Sequence, residues 1–236
     1  MNRFAALFVK ELRTYLGAPS FYLMTALFLL VGGYGFGWSP ATYLESSLEG
    51  FLSWTGFFLL FLGPALTVRL LAEEEKMGTL ELLLTSPVKD WEVVFGKYLA
   101  ALAVFFLMLV GSFYFPLLLI GFGHPDAGPI LSGYLGLFLL GAVVLAIGLF
   151  SSSLTANPIL AYVLAGALVL FFWFIGLAGS SSGQGTQMVL QTVSLSYYFP
   201  AFSRGLIETN ALIYYLSLTA VFLFLTLRAV ESRRWR

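Results

Sequence analysis

The residues able to do chemistry are few, and most crowd into one stretch. Ala72 to Tyr98, AEEEKMGTLELLLTSPVKDWEVVFGKY, is the one long polar interruption of an apolar chain. It holds Glu73, Glu74, Glu75, Glu81, Asp90 and Glu92 together with Lys76, Lys89 and Lys97. Within it Leu80, Leu83 and Leu84 fall at i, i+3 and i+4, so a short helix starting near Thr79 carries an apolar stripe with Glu81 and Thr85 turned away. Pro87 stops that helix, because Ser86 before a proline is pushed out of the helical region. Ser86 then caps a second helix, with Pro87 at its first position and Asp90 in its first turn, where the dipole favours an anion. The pattern predicts a helix, a sharp stop and a new helix: a protruding knuckle whose leucines have no membrane of their own and need a protein partner.

Other chemistry is excluded residue by residue. The only Gly-Lys pair, Gly96-Lys97, is followed by Tyr98, and Trp91 stands five residues before Gly96, so the phosphate-cradling pattern fails. His124 and Asp126 flank Pro125 on a turn, but His124 is the only histidine and such a surface pair is ordinarily just solvated. With no cysteine there is neither a disulfide framework nor thiolate chemistry. No set of polar groups converges at one depth as an enzyme would require. The apolar runs carry essentially no ionised side chain, and one at a bilayer centre costs about 2.5–3.5 kcal/mol, so proton relays and carboxylate ion sites are not encoded.

The elements that position the polar stretch are membrane helices. Hydrophobic residues make up 59% of the chain and charged ones 10%, far below the roughly 25% charged of a globular domain. Met1 to Leu16 reads as an amphipathic helix in the headgroup layer, with Phe4, Leu7, Phe8, Leu12 and Tyr15 on one side and Arg3, Lys10 and Arg13 toward the other; Gly17 and Pro19 end it. Six apolar runs follow, Phe21 to Gly37, Phe51 to Leu71, Leu99 to Phe122, Ser132 to Phe150, Pro158 to Ala178 and Ala211 to Val230, each near the roughly 20 residues needed to span. Gly33 and Gly37, with Gly32 and Gly35 crowded beside them, offer a close helix approach. Pro64 and Pro116 stand where they can kink the second and third spans. Between the fourth and fifth runs SSSLTAN reads as a short uncharged loop. Gly179 to Asn210 is flexible in its first part and then apolar enough to form short external helices over the end of the bundle. Arg3, Lys10, Arg13, Arg69, Lys76, Lys89, Lys97, Arg228, Arg233, Arg234 and Arg236 fall on one side and only Arg204 on the other. The knuckle and both termini are thereby expected in the cytosol.

The run EEEKMGTLELLLTSPV followed by WEVVFGKYLAAL resembles the cytoplasmic loop of type-2 ABC-exporter permeases, most closely the gliding-motility permease subgroup. SLSYYFPAFSRGLIE and the C-terminal LSLTAVFLFLTLRAVESRRW are similar to the segments leading into and forming that family's last membrane helix, with Tyr197 and Tyr198 departing from the more polar residues expected there. The resemblance implies a single all-α integral membrane domain over 1–236. It comprises six transmembrane helices, an N-terminal amphipathic interfacial helix and a cytoplasmic coupling helix between helices 2 and 3. It also implies that Glu74, Thr79, Leu80, Glu81, Leu83, Leu84, Thr85 and Ser86 meet a separate ABC-type ATPase, which holds ATP and Mg while this chain holds no cofactor. A second permease copy or related permease, membrane lipid and an external auxiliary subunit complete the implied partners, with no nucleic acid, in the cytoplasmic membrane. A bundle lined by Phe, Tyr, Leu, Ser, Thr and Gly suits an amphipathic cargo. The alternative it allows is a scaffold in an ATP-driven envelope or motility assembly that passes force without a freely transported cargo.

Overall fold

The computed structural model describes residues 3–43, 48–79, 89–122, 125–178 and 184–233, and every regular element among them is a helix. They run α1 (Arg3–Gly17), α2 (Pro19–Tyr43), α3 (Glu49–Lys76), α4 (Asp90–Ser112), α5 (Tyr114–Phe122), α6 (Ala127–Leu154), α7 (Pro158–Ala178), α8 (Gln184–Val193), α9 (Leu195–Ser203) and α10 (Thr209–Arg233). Six stretches are long and apolar enough to cross a membrane, with α4 and α5 together forming the third. These six match the runs expected from sequence.

Local chemistry explains where the helices break. Gly17 ends α1, and Ala18 links it to Pro19 at the first position of α2, where a missing N–H costs nothing. Pro116 lacks the N–H that would reach back to Ser112, and the third span breaks at Phe113, whose N–H turns to Val110 O at 3.1 Å. Gly78, at φ 72°, takes the left-handed position after α3. The helix after the polar stretch starts at Asp90 rather than at Pro87: Lys89 is extended (ψ 145°), and its N–H donates to the Glu92 carboxylate at 2.8 Å. The carboxylate of Glu92, the third residue of α4, thus captures the backbone N–H of Lys89, which is the cap of α4; Ser86 and Pro87 lie outside the described residues. Ser151, Ser152 and Ser153 belong to α6, buried, so the loop expected at SSSLTAN shrinks to Thr155–Asn157. There the Asn157 side chain accepts the Ile159 N–H at 3.0 Å and Pro158 opens α7.

The bundle is built around α3 and α6, the two most enclosed spans, which pack most extensively on each other. A Cβ added at Gly63 would fall 2.3 Å from Val144 Cγ1, and one at Gly148 1.9 Å from Thr67 Oγ1, so the backbones meet where side chains are absent. The Ser152 hydroxyl accepts the N–H groups of Leu71 (3.2 Å) and Ala72 (2.9 Å) and donates to Val68 O (2.9 Å), bonding the two helices. Gly141 and Gly136 of α6 receive Phe105 of α4 and Phe202 of α9. In α2 the close approach to α3 runs through Gly32 and Gly35, not through the Gly33 and Gly37 spacing. Cβ atoms at the first pair would lie 2.6 Å from Phe51 and from Gly50 O, whereas Gly37 has open space.

The described part of the segment between α7 and α10 forms two short helices, α8 and α9, in line with the short helices expected there. Phe199 of α9 sits on Gly56 near the start of α3, and the Ser194 and Ser196 hydroxyls donate to Trp173 O of α7 at 3.0 and 2.8 Å. Gly205 (φ 89°) closes α9, with its own N–H to Phe202 O and the Leu206 N–H to Ala201 O, the paired bonds of a Schellman stop. Gly56 and Glu74 lie 18 residues apart on α3, about 27 Å at 1.5 Å per residue, so α8–α9 and the polar stretch occupy opposite ends of the bundle.

Gly148→Ala should lower the apparent Tm of the detergent-purified protein, since overpacking of this kind costs about 1–3 kcal/mol. Gly166→Ala, whose added Cβ meets nothing within 4 Å, should leave it unchanged or raise it. Equal Tm values for the two variants would show that the α3–α6 contact does not limit stability.

Candidate functional site

At the root of the polar stretch three helices are joined by charge. Lys97, in the second turn of α4, has no exposed side-chain surface, and its Nζ lies 2.7 Å from Glu74 Oε1 of α3 and 3.0 Å from Glu11 Oε1 of α1. Lys10 Nζ approaches Glu11 Oε1 at 3.4 Å and Glu74 Oε1 at 3.8 Å from the solvent side. Two ammonium groups thus face two carboxylates. That balance matters because a buried lone ion costs several kcal/mol unless paired and hydrogen-bonded.

The packing of α1 creates this burial. α1 runs along the first turns of α4: Leu7 fills the space left by Gly96, and the Phe4 and Trp91 rings stack at 6.2 Å. Glu11 is one turn beyond Leu7 and so falls on the same face, directed at Lys97 one residue beyond Gly96. Tyr15, a further turn on, donates its hydroxyl to Leu66 O of α3 at 2.7 Å. Burial, reinforced by the Glu11 charge, pushes the Tyr15 phenol above its usual range and keeps it a neutral donor. On the outer side Arg69 Nη1 donates to Ser20 Oγ at 3.3 Å, and its Nε lies 3.8 Å from Glu73 Oε1.

Of the residues expected to meet a partner, Glu74 sits in this clasp, and Thr79 follows Gly78 with its hydroxyl donating to Glu74 O at 3.2 Å. Leu80, Glu81, Leu83, Leu84, Thr85 and Ser86 lie outside the described residues. Lys97 and Glu11 were missed as a pair. The available signal was an acid in the middle of the apolar stripe of α1, one turn from both Leu7 and Tyr15, and a lysine at the head of an uninterrupted apolar run. The arrangement offers no nucleophile and base, and no group of three or more metal-ligating side chains occurs among the described residues. What it can do is mechanical: α3 enters the polar stretch and α4 leaves it, so the clasp ties both flanks of that stretch to each other and to α1.

The sequence profile of the family described as ABC-2 family transporter protein matches residues 39–230, from the end of α2 to near the end of α10. The chain belongs to the ABC-2 transporter family. This ABC-2 protein is a multi-pass membrane component, a permease subunit of an ABC transporter without an ATPase of its own, and permeases of its family typically pair with an ABC ATPase. None of the curated proteins compared with it matches the chain. Within the permease the clasp straddles the boundary of the match, since Glu74 and Lys97 fall inside residues 39–230 and Glu11 before them.

Lys97→Met should strand Glu11 and Glu74 beside each other and destabilise the protein by about 3–5 kcal/mol, as removal of one partner from a buried pair does. Adding Glu11→Gln and Glu74→Gln should recover much of that loss, because neutral groups then face one another. Thermal unfolding of the purified single and triple variants reads both outcomes. A single variant as stable as the parent would mean that the charges are not coupled.

Proposed function

We propose that this chain is one permease half of an ATP-driven exporter, gripped by a separate cytosolic ABC ATPase at the segment after Gly78. The observation that carries the reading is the clasp. A displacement of that segment meets Glu74 on one flank and Lys97 on the other, and their buried pairing makes α3, α4 and α1 move as one. Thr79, Leu80, Glu81, Leu83, Leu84, Thr85 and Ser86 form the contact, with the leucine stripe in a groove of the ATPase and ATP and Mg held by that partner. Because α3 also carries the glycine contact to α6, motion entering at Glu74 reaches the centre of the bundle. Two permease halves, identical or related, frame the path. The α8–α9 cap is the site for an external auxiliary subunit.

The one-sided distribution of Lys and Arg supports placing the clasp and both termini in the cytosol and the α8–α9 end outside a cytoplasmic membrane. The cysteine-free chain makes the topology directly testable. Ser47→Cys, His124→Cys and Ser182→Cys should react with an impermeant thiol reagent added to intact cells, while Asn2→Cys and Lys89→Cys should not. External labelling of Lys89→Cys would reverse the orientation.

Coupling is tested at Leu83. Burying a leucine in a partner groove contributes about 1.5–3 kcal/mol, so Leu83→Asp should lose that term and place a charge in the interface. The variant should insert normally but copurify with less ATPase and lose coupled turnover. Retention of both stoichiometry and turnover would remove the leucine stripe from the contact. The likeness to gliding-motility permeases supports a second reading, a force-transmitting scaffold. A stable ATPase complex whose turnover no amphipathic cargo stimulates would favour it.

A further inference from the structure

Beside the clasp a cavity of about 200 Å³ opens between α1, the start of α2 and the end of α3, and coupling makes no use of it. Its walls change character with depth. Glu11 and Glu74 lie at the buried end, and Glu74 Oε2 is buried with no hydrogen-bond partner among the described residues although Oε1 holds Lys97. At the mouth stand Arg69 and Glu73, whose side chains are 54% and 41% exposed, with Ser20 accepting from the guanidinium. The cavity lies where α1 turns into the first span and the second span ends, the depth of lipid headgroups in a multi-pass membrane protein. Just beyond it on α2, Tyr22 and Leu23 present exposed apolar surface on which acyl chains can run.

We propose that this cavity seats the headgroup of a phosphatidylethanolamine-type lipid from the leaflet on the clasp side. A buried carboxylate oxygen without a donor is costly, and a primary ammonium supplies N–H groups and charge together. The guanidinium at the mouth offers the paired donors that suit the phosphate of the same headgroup. A trimethylated choline has no N–H to give Glu74, and a glycerol headgroup has no cation, so the cavity distinguishes three common phospholipids by chemistry alone.

The test uses the full chain without any ATPase, so its failure is separate from failure of the coupling reading. The protein is reconstituted in nanodiscs of equal parts phosphatidylethanolamine, phosphatidylcholine and phosphatidylglycerol, and retained lipid is read by native mass spectrometry. Phosphatidylethanolamine should be retained about tenfold over the others, the discrimination of one charge-assisted hydrogen bond. Arg69→Gln should lower retention of all three lipids, because the phosphate it faces is common to them. Thr14→Trp should lower retention of phosphatidylethanolamine by filling the mouth; among the described residues the Thr14 hydroxyl bonds back to Lys10 O in its own helix, at 3.0 Å, so this change leaves the clasp charges in place. Equal retention of the three lipids, or retention that neither substitution lowers, overturns the proposal. Displacement of the retained lipid by equimolar soluble glycerophosphoethanolamine would assign the cavity to a free zwitterion and overturn the lipid assignment.

Discussion

Two helices can approach closely inside a membrane only where side chains are absent, and α3 and α6 do so at Gly63 and Gly148. No hydrophobic drive pulls helices together in lipid, so contact must come from shape and from hydrogen bonds that have no water to compete with. Ser152 supplies the bonds by bridging backbone groups of Val68, Leu71 and Ala72. The remaining elements lean on this pair: α4 through Phe105 into Gly141, α9 through Phe202 into Gly136, and α2 through Gly32 and Gly35 onto α3. Such a core is well suited to transmit displacement, because close-packed interfaces slip between discrete arrangements rather than deform continuously.

The clasp and the α8–α9 cap are the two ends of this core and differ in their physics. At one end Lys97 is held by carboxylates from two other helices, so three elements share one charge balance and none can leave alone without exposing an uncompensated ion. At the other end the contacts are apolar or neutral: Phe199 and Phe202 fill glycine notches, and the hydroxyls of Ser194, Ser196 and Tyr215 bond backbone carbonyls. The ABC-2 permease thus carries charged contacts at one end of α3 and apolar or neutral ones at the other.

Length, composition and the positions of Gly and Pro determined much of this protein by themselves. The number of spans, the break of the third span near Pro116, the turn at Gly17–Pro19 and the helical nature of the segment after α7 all follow from local properties of the chain. Hydropathy, backbone N–H supply and steric limits act within a few residues. The family was legible for a similar reason, since the sequence of the polar stretch carries its signature without reference to anything distant.

Tertiary structure alone decided which groups are paired and which glycines matter. Lys97 counts as one more basic residue near a membrane end until α1 lies across α4 and removes its water; Glu11 looks like a blemish in an apolar stripe until Lys97 is opposite it. Gly33 and Gly37 have the familiar spacing, yet Gly32 and Gly35 make the contact, because the rotation of α2 about its axis is set by how Phe51 and Trp54 of α3 fill the space beside it. Ser86 is a good cap in isolation, but the Glu92 carboxylate holds the backbone N–H of Lys89, and α4 starts at Asp90. In each case the sequence fixes what a side chain can do, while burial and a partner from a distant segment, 86 residues away for Glu11 and Lys97, select what it does.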